Sequence, residues 1–539
     1  MGDISILDSA GNPIKPKALV SGSGVPYDAA DLYGSHVADW MPFLWSPDGE
    51  LNMYRDRIVS RVRDLVRNDG WASGAVTRTI DNAIGANFRP IAKPDYRALA
   101  AYTGNKAFDA KWADEFGRAV EANWRTWAND PGRYCDAARG MSIAQIMRVA
   151  FRHKIVDGDA LAILYWLPER MGIGRARYAT TVQLIDPDRL SNPQLRFDQM
   201  TMRGGVEVDE FGAATAYWIR RAHQGDWFSA AQSVHWDRVQ RETDWGRPIV
   251  VHDFDHDRAG QHRGGAGILT PVLQRLKMLI KYDGTELDAA IVNAIFGAYI
   301  ESPFDSQFVE QALGSDGTEL NAYQQGRSDF HNERRIKLGE ARMPILFPGE
   351  KINTVEAARP TSNFSDFEAA MLRNVAAGTG LSAQQISNNW SDVNYSSARG
   401  ALLEAWKTLS RRRLDFANGF GQPIYSALIE EMFESDNLPL PRNAPEFMEC
   451  RTAYSNARWM GPGRGWIDIV KERQGAVLGM DSGLSTLEDE CAENGGQDWE
   501  ENLDQRAREI QAFRERGLAP PSWAQMKPAE ITISPPEVV

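Results

Sequence analysis

The sequence predicts an α+β fold in which helices predominate, divided among several domains. Three observations predict it. Apolar residues recur at helical spacing through long stretches, as in Leu273, Leu276, Ile280, Leu287, Ile291 and Ile295. Short apolar or alternating runs (158–166, 181–185 and 213–220) lie together in one region and read as strands. The length of 539 residues exceeds what one core organises.

Taken in order, residues 1–50 are irregular but carry Tyr27, Tyr33, Trp40, Phe43 and Trp45. A solvated tail does not carry five aromatics. This N-terminal arm packs either on its own domain or on a neighbouring subunit. Residues 51–262 read as a mixed α+β domain. Its first helix repeats Ile58, Val62 and Leu65, with Arg55, Arg57, Arg61, Arg63 and Arg67 on the other faces. Those arginines predict a solvated or salt-bridged face. Asn68-Asp69-Gly70 breaks that helix before a second one, and 106–127 and 142–156 follow as further helices. Thr270-Pro271 then opens a long helix within 263–302, since Thr caps well and Pro suits the first helical position. Residues 303–362 turn polar and glycine-rich, which predicts a small projecting subdomain of short strands. Ser365 and Glu368 have capping-box spacing at the head of a helix within 363–381. Residues 382–397 are a polar loop, and 398–463 hold another long helix with Leu402, Trp406, Leu409, Phe416, Phe420, Ile424 and Leu428 on one stripe. Residues 464–517 predict a helical cap with a second capping box at Asp498 and Glu501, and 518–539 a proline-rich tail.

Composition narrows the function. A net charge of −13 argues against a generic basic coat for nucleic acid. No apolar run reaches the length of a membrane span, and the N-terminus lacks the pattern of a secretory signal. Cys135, Cys450 and Cys491 lie far apart, which gives neither a disulfide framework nor a zinc pattern. Walker A, dinucleotide-binding and nucleophile-elbow motifs are all missing. The best enzymatic candidate is the stretch HDFDHDRAGQHR, which gathers His252, Asp253, Asp255, His256, Asp257 and His262. Imidazole and carboxylate are metal ligands, so a metal-dependent hydrolase using His252, His256 and His262 is the alternative reading. Against it, Pro248 to Val251 predicts a strand, on which His252 and His256 lie too far apart for one ion. The sequence therefore predicts no enzyme, no metal and no cofactor.

Several separate motifs resemble the phage portal proteins of the lambda type. RVRDLVRNDGWASGAVTRTIDNAIGANFRP (61–90) is similar to the family's amino-terminal signature. HDRAGQHRGGAGILTPVL (256–273) resembles its R-x-G-Q-x-R-G segment, although Gly264-Gly265-Ala266 stands where a less glycine-rich turn is expected. NVAAGTGLSAQQISNNWSDVNYSSARGALLEAW (374–406) resembles its most distinctive block, and 467–501 is also similar.

The resemblance implies a portal-type fold with wing, stem, clip and crown regions, assembling as a ring of twelve subunits at one capsid vertex. It makes 51–262 the wing, 263–302 and 363–381 the stem helices, 303–362 the clip, 382–397 the tunnel loop and 464–517 the crown. It implies passage of double-stranded DNA, docking of the terminase large subunit and of a head–tail connector, and contacts with major capsid and scaffold proteins. It places the protein in the virion, and in the host cytoplasm during assembly. A different head–tail adaptor is a further alternative, but such adaptors are commonly shorter. The implied channel residues are Asn388, Asn389, Trp390, Ser391, Asp392 and Asn394, a set with no Lys or Arg. Polar amides and one aromatic suit sliding contact, because cations would hold each phosphate. Arg399, Lys407, Arg411, Arg412 and Arg413 then either bridge subunits or face DNA.

Overall fold

The computed structural model describes residues 28–30, 36–37, 39–265, 267–295, 299–301, 325–326, 328–330, 351–353, 364–391, 394–435, 438–465 and 468–519. Most of the expected projecting subdomain (303–362), most of the N-terminal arm and residues 520–539 of the expected tail therefore lie outside the described residues.

The helix-rich α+β expectation holds. Asp69 ends the Arg55–Asn68 helix and caps the next, Gly70–Ala83, by accepting from the Ala72 amide at 2.7 Å. Their buried residues, including Val62, Leu65, Val66, Val76 and Ile80, face one core shared with the helices Ala110–Ala128 and Ile143–Asp157. A capping box between Ser142 and Gln145 starts the latter. Three antiparallel sheets complete the body. Asp159–Trp166 is flanked by Thr180–Ile185 and Val250–Phe254, while Met202–Arg203, Val206–Val208, Ala214–Arg220 and Trp236–Gln240 form a four-stranded meander. Arg89–Ala92 pairs with Ala457–Met460, which ties the two ends of the body together.

The long helix begins with a single 3-10 turn at Thr270–Val272, so Thr270 is not its cap, and runs as Leu273–Ile295. It stops short of residue 300, because Tyr299–Glu301 pairs as a strand with Lys351–Asn353. The return helix Phe364–Thr379 already contains Ser365, so that serine cannot serve as its N-cap. The next long helix, Tyr395–Phe416, is separated from Gln422–Ser435 by a wide turn at Ala417–Gly421. There Gly419 faces the Asp253 carboxylate and Gly421 the Trp459 ring, with no room for a side chain at either position. The apolar stripe survives this turn, as Phe416 and Phe420 stack at 5.2 Å between ring centres.

A buried charge cluster welds the entrance of the long helix to the sheets. Asp159 is fully buried and accepts from Arg55 Nη2 at 2.9 Å, Arg263 Nε at 2.9 Å and the Gly264 amide at 2.6 Å. Arg263 also donates to the Leu190, Gly204 and Pro187 carbonyls. Gly264 is glycine because a side chain there would run into the Gly158 carbonyl. The glycine-rich turn is thus a close crossing of two backbones.

This cluster also disposes of the metal alternative. His252 Nε2 is 3.1 Å from Asp159 Oδ1, and burial holds the ring below the usual imidazole range. His256 stacks on Phe254. His262 sits 2.7 Å from Asp48 and 3.0 Å from the Gly212 carbonyl. The three histidines have three separate sets of partners and do not converge on one ion. Among the described residues, Asp186, Asp188 and His223 do converge, but Arg63 already lies among them, 2.7 Å from Asp188 and 3.2 Å from Asp186. A guanidinium already supplies the counter-charge there. Among the described residues, no helix is long and apolar enough to cross a membrane.

Candidate functional site: the polar loop between two long helices

The segment expected as a loop is more ordered than its composition suggests. Gly380, at φ +74°, ends the Phe364–Thr379 helix beside the Thr408 side chain. Arg412 donates to the Thr379 carbonyl at 2.9 Å, which ties this end to the following long helix. Ser382 then caps a short helix, Ala383–Ser387. Its hydroxyl accepts from the Gln385 amide at 3.2 Å while the Gln385 side chain accepts from the Ser382 amide at 3.0 Å. Ile386 is buried and anchors this turn to the core. The signal was present in Ser-Ala-Gln-Gln, a capping box that the polar composition obscured.

The expected channel residues divide by what their side chains do. Asn388 takes the left-handed conformation (φ +55°) that ends the short helix, and its Oδ1 accepts from Arg78 Nη2 at 2.6 Å. Asn389 folds the chain back, accepting from the Ser391 amide at 3.1 Å and hydroxyl at 2.6 Å. Trp390 is 43% exposed, and Ser391 is exposed beside it. Asn394 caps the Tyr395–Phe416 helix by accepting from the Ser397 amide at 2.9 Å. Asp392 lies outside the described residues. The three asparagines therefore shape the turn, and with Trp390 and Ser391 they are all exposed on it.

Arg78 is the residue that composition and spacing missed. It reaches from the Gly70–Ala83 helix, and its guanidinium folds back over Gly74, where a side chain would collide with it. A glycine four residues ahead of an arginine on a helix is the one signal that pointed to it. The downstream cations are mostly committed within the chain. Lys407 pairs with Glu404, Arg411 with Asp415, and Arg413 donates to the Ala83, Asn82 and Pro462 carbonyls. With Arg412 on Thr379, four of the five bases expected to bridge subunits or face DNA have partners in their own chain. Arg399 is exposed and lines a cavity of about 300 Å³ with Arg464, Lys471 and Glu490.

The chain as a whole matches known proteins. The pattern of the family described as "Phage portal protein, lambda family" covers residues 33–413. A portal protein of Escherichia phage N15 is 33% identical over 498 residues, which is 91% of each chain. Portal protein B of Escherichia phage lambda is 32% identical over 498 residues, 91% of this chain and 90% of its own. A chain in the virion of a native gene transfer agent particle aligns at 14% identity, over 77% of this chain and 97% of its own, with a TM-score of 0.40. On the family pattern and on identity above 30% along nearly the whole length, the chain belongs to the lambda family of phage portal proteins, structural components of the virion rather than enzymes.

Proposed function

We propose that this portal protein assembles into a closed ring, of twelve subunits by its family resemblance, whose channel passes double-stranded DNA during packaging and ejection. In this reading residues 382–397 line the channel. The helices at 273–295 and 364–379 form the stem, 303–362 project as the clip that meets the terminase large subunit and the head–tail connector, and 464–517 form the crown. Residues 51–262 form the wing, the ring meets the major capsid and scaffold proteins, and assembly takes place in the host cytoplasm.

One observation carries the reading. Between two long helices the chain presents an exposed turn, 388–391, which includes Trp390 and has no Lys or Arg of its own. Arg78, from a neighbouring helix, donates to Asn388 and so adds a single fixed charge per subunit beside the turn. Such a surface touches DNA without retaining it, because each phosphate neutralised by a cation adds binding free energy and salt dependence. The rest of the turn is stiffened by its own asparagines, so the contact is positioned rather than floppy.

Two measurements test this. Native mass spectrometry with negative-stain imaging should show a ring with a central hole. Trp390→Ala should then lower the amount of DNA packaged or retained per particle while the rings stay intact. Unchanged packaging and retention would remove the turn from the channel, and a stable monomer at high concentration would count against the ring.

A further inference from the structure

Residues 40–45, Trp-Met-Pro-Phe-Leu-Trp, stand uncovered on the subunit. Trp40 is 74% exposed, Met41 66%, Phe43 83%, Leu44 100% and Trp45 50%. Large side chains of this kind offer on the order of 700 Å² together. That exceeds the largest apolar patch of an ordinary monomer and approaches one partner's share of a standard interface. The run is also held at its base. Ser46 caps the Pro47–Leu51 helix, Asp48 binds His262, and Arg258 donates to the Trp45 carbonyl at 3.1 Å and to Glu50 at 2.9 Å. A fixed anchor thus presents an apolar arm away from the body.

The same subunit carries a groove with apolar residues in its lining. A cavity of about 630 Å³ opens between the Arg55–Asn68 helix and the first turns of Leu273–Ile295. Leu65, Leu273 and Met278 line it, with Arg61, Lys277 and Lys281 around them. Asp64 is its one acid. The charges of the two are opposite. From Ala18 to Tyr54 the chain has no Lys or Arg, and Asp28, Asp31, Asp39, Asp48 and Glu50 are its acids. The arm's apolar residues do not lie in their own subunit's groove, since they are exposed.

We infer that residues 40–45 of one subunit occupy the groove of the next copy of this chain. The inference rests on the ring reading and names one of its contacts. Each subunit gives one arm and receives one, which is a heterologous contact of the kind that closes into rings. The acids preceding the aromatic run then face Arg61, Lys277 and Lys281 of the neighbour.

The test uses two full-length variants, both altered at exposed positions so that the fold is kept. One is Trp40→Ser with Phe43→Ser and Leu44→Ser. The other is Met278→Glu with Lys277→Glu and Lys281→Glu. Unaltered protein should form rings by native mass spectrometry; if it does not, the ring reading itself falls, and this contact with it. Each variant alone should associate at least about a hundredfold more weakly, as expected for losing several central anchors. Mixing the two should give one-to-one pairs, since the groove variant keeps an arm and the arm variant keeps a groove. Rings from either variant at wild-type concentration would overturn the contact while leaving the ring reading in place. Loss of association in both variants without pairing on mixing would also overturn it, because it would show that the arm and the groove do not meet each other. A wild-type thermal midpoint for each isolated variant would show that folding is not what changed.

Discussion

Replacing Asp159 by Asn should destabilise the body of the subunit far more than any surface charge change. The carboxylate is fully buried and faces two guanidiniums, Arg55 and Arg263, at 2.9 Å each. Asn keeps the size but removes the charge, and its NH2 group points a donor at donors. Leaving one side of a buried ion pair uncompensated costs about 3–5 kcal/mol. At roughly 2–4 °C per kcal/mol for a large domain, the thermal midpoint should fall by about 10 °C. Asp56→Asn is the control, because it makes the same chemical change on an exposed carboxylate 3.9 Å from the same Arg55. An exposed pair of this kind is worth about 0–1 kcal/mol. Differential scanning fluorimetry of the two variants at pH 7 decides the matter. Equal midpoints for the two would refute the claim that the Arg55–Asp159–Arg263 cluster holds the entrance of the long helix. The pH dependence gives a second check. Burial alone would raise the Asp159 carboxyl, but Arg263, Arg55 and His252 hold it well below the usual carboxylate range. Its contribution is present above the unfolded value near 4 and is lost only as pH falls further, toward the folded value. Wild type and Asp159→Asn should therefore differ by the same amount at pH 6 and pH 8.

Glu121 predicts the opposite sign. Burial pushes its carboxyl up to about 7, against the lowering by the Ala92 amide that it accepts and by Arg125 and Arg89. The folded state then binds the proton more tightly, so stability should fall as pH rises from about 4.5 to 7, by at most about 3 kcal/mol. Glu121→Gln keeps an acceptor for Ala92, and its thermal midpoint should change less between pH 5 and pH 8 than the wild-type midpoint; parallel pH curves would contradict the assignment. Arg78→Ala should change stability by no more than about 0.5 kcal/mol, since the bond to Asn388 is exposed. It should speed amide hydrogen exchange at Asn388 and Asn389, and unchanged exchange would mean that the turn holds itself.

The helices of the body were readable because a repeat of 3.6 residues needs only local information. Asn68-Asp69-Gly70 broke a helix where expected, and the stripe through Phe416, Phe420, Ile424 and Leu428 persisted across an unexpected turn. What failed depended on partners far away in the chain. Asp498 does cap its helix, but its expected capping-box partner Glu501 turns instead to Arg89 and Arg125. The pairing of Arg89–Ala92 with Ala457–Met460 joins segments more than 360 residues apart and left no local mark. The histidines of 252–262 looked like a site because they are close in sequence. Spatially each is taken by a carboxylate, a carbonyl or an aromatic ring. At the candidate site, residue types and location were legible, but the asparagines' use as caps and turn-formers was not, and Arg78 came from a different helix.

The body and its edges differ in what holds them. The body buries a continuous apolar core and satisfies its inner charges, so its own chain specifies it. The C-terminal helices Ile469–Asp481, Leu487–Glu490 and Trp499–Glu515 bury no residue fully. They form ion pairs with the body, Glu501 with Arg89 at 2.7 Å, Glu500 with Arg118 at 3.2 Å and Asp489 with Arg458 at 3.0 Å. Such pairs are worth about 0–1 kcal/mol each when exposed, against roughly 1–2 kcal/mol of backbone entropy for every residue ordered. Meanwhile Val470 and Leu484 remain 65% and 86% exposed. The same imbalance marks residues 40–45. Both segments carry apolar surface that their own subunit does not cover; in the proposed ring their order would be coupled to association by mass action, and stability measured at two subunit concentrations should then differ.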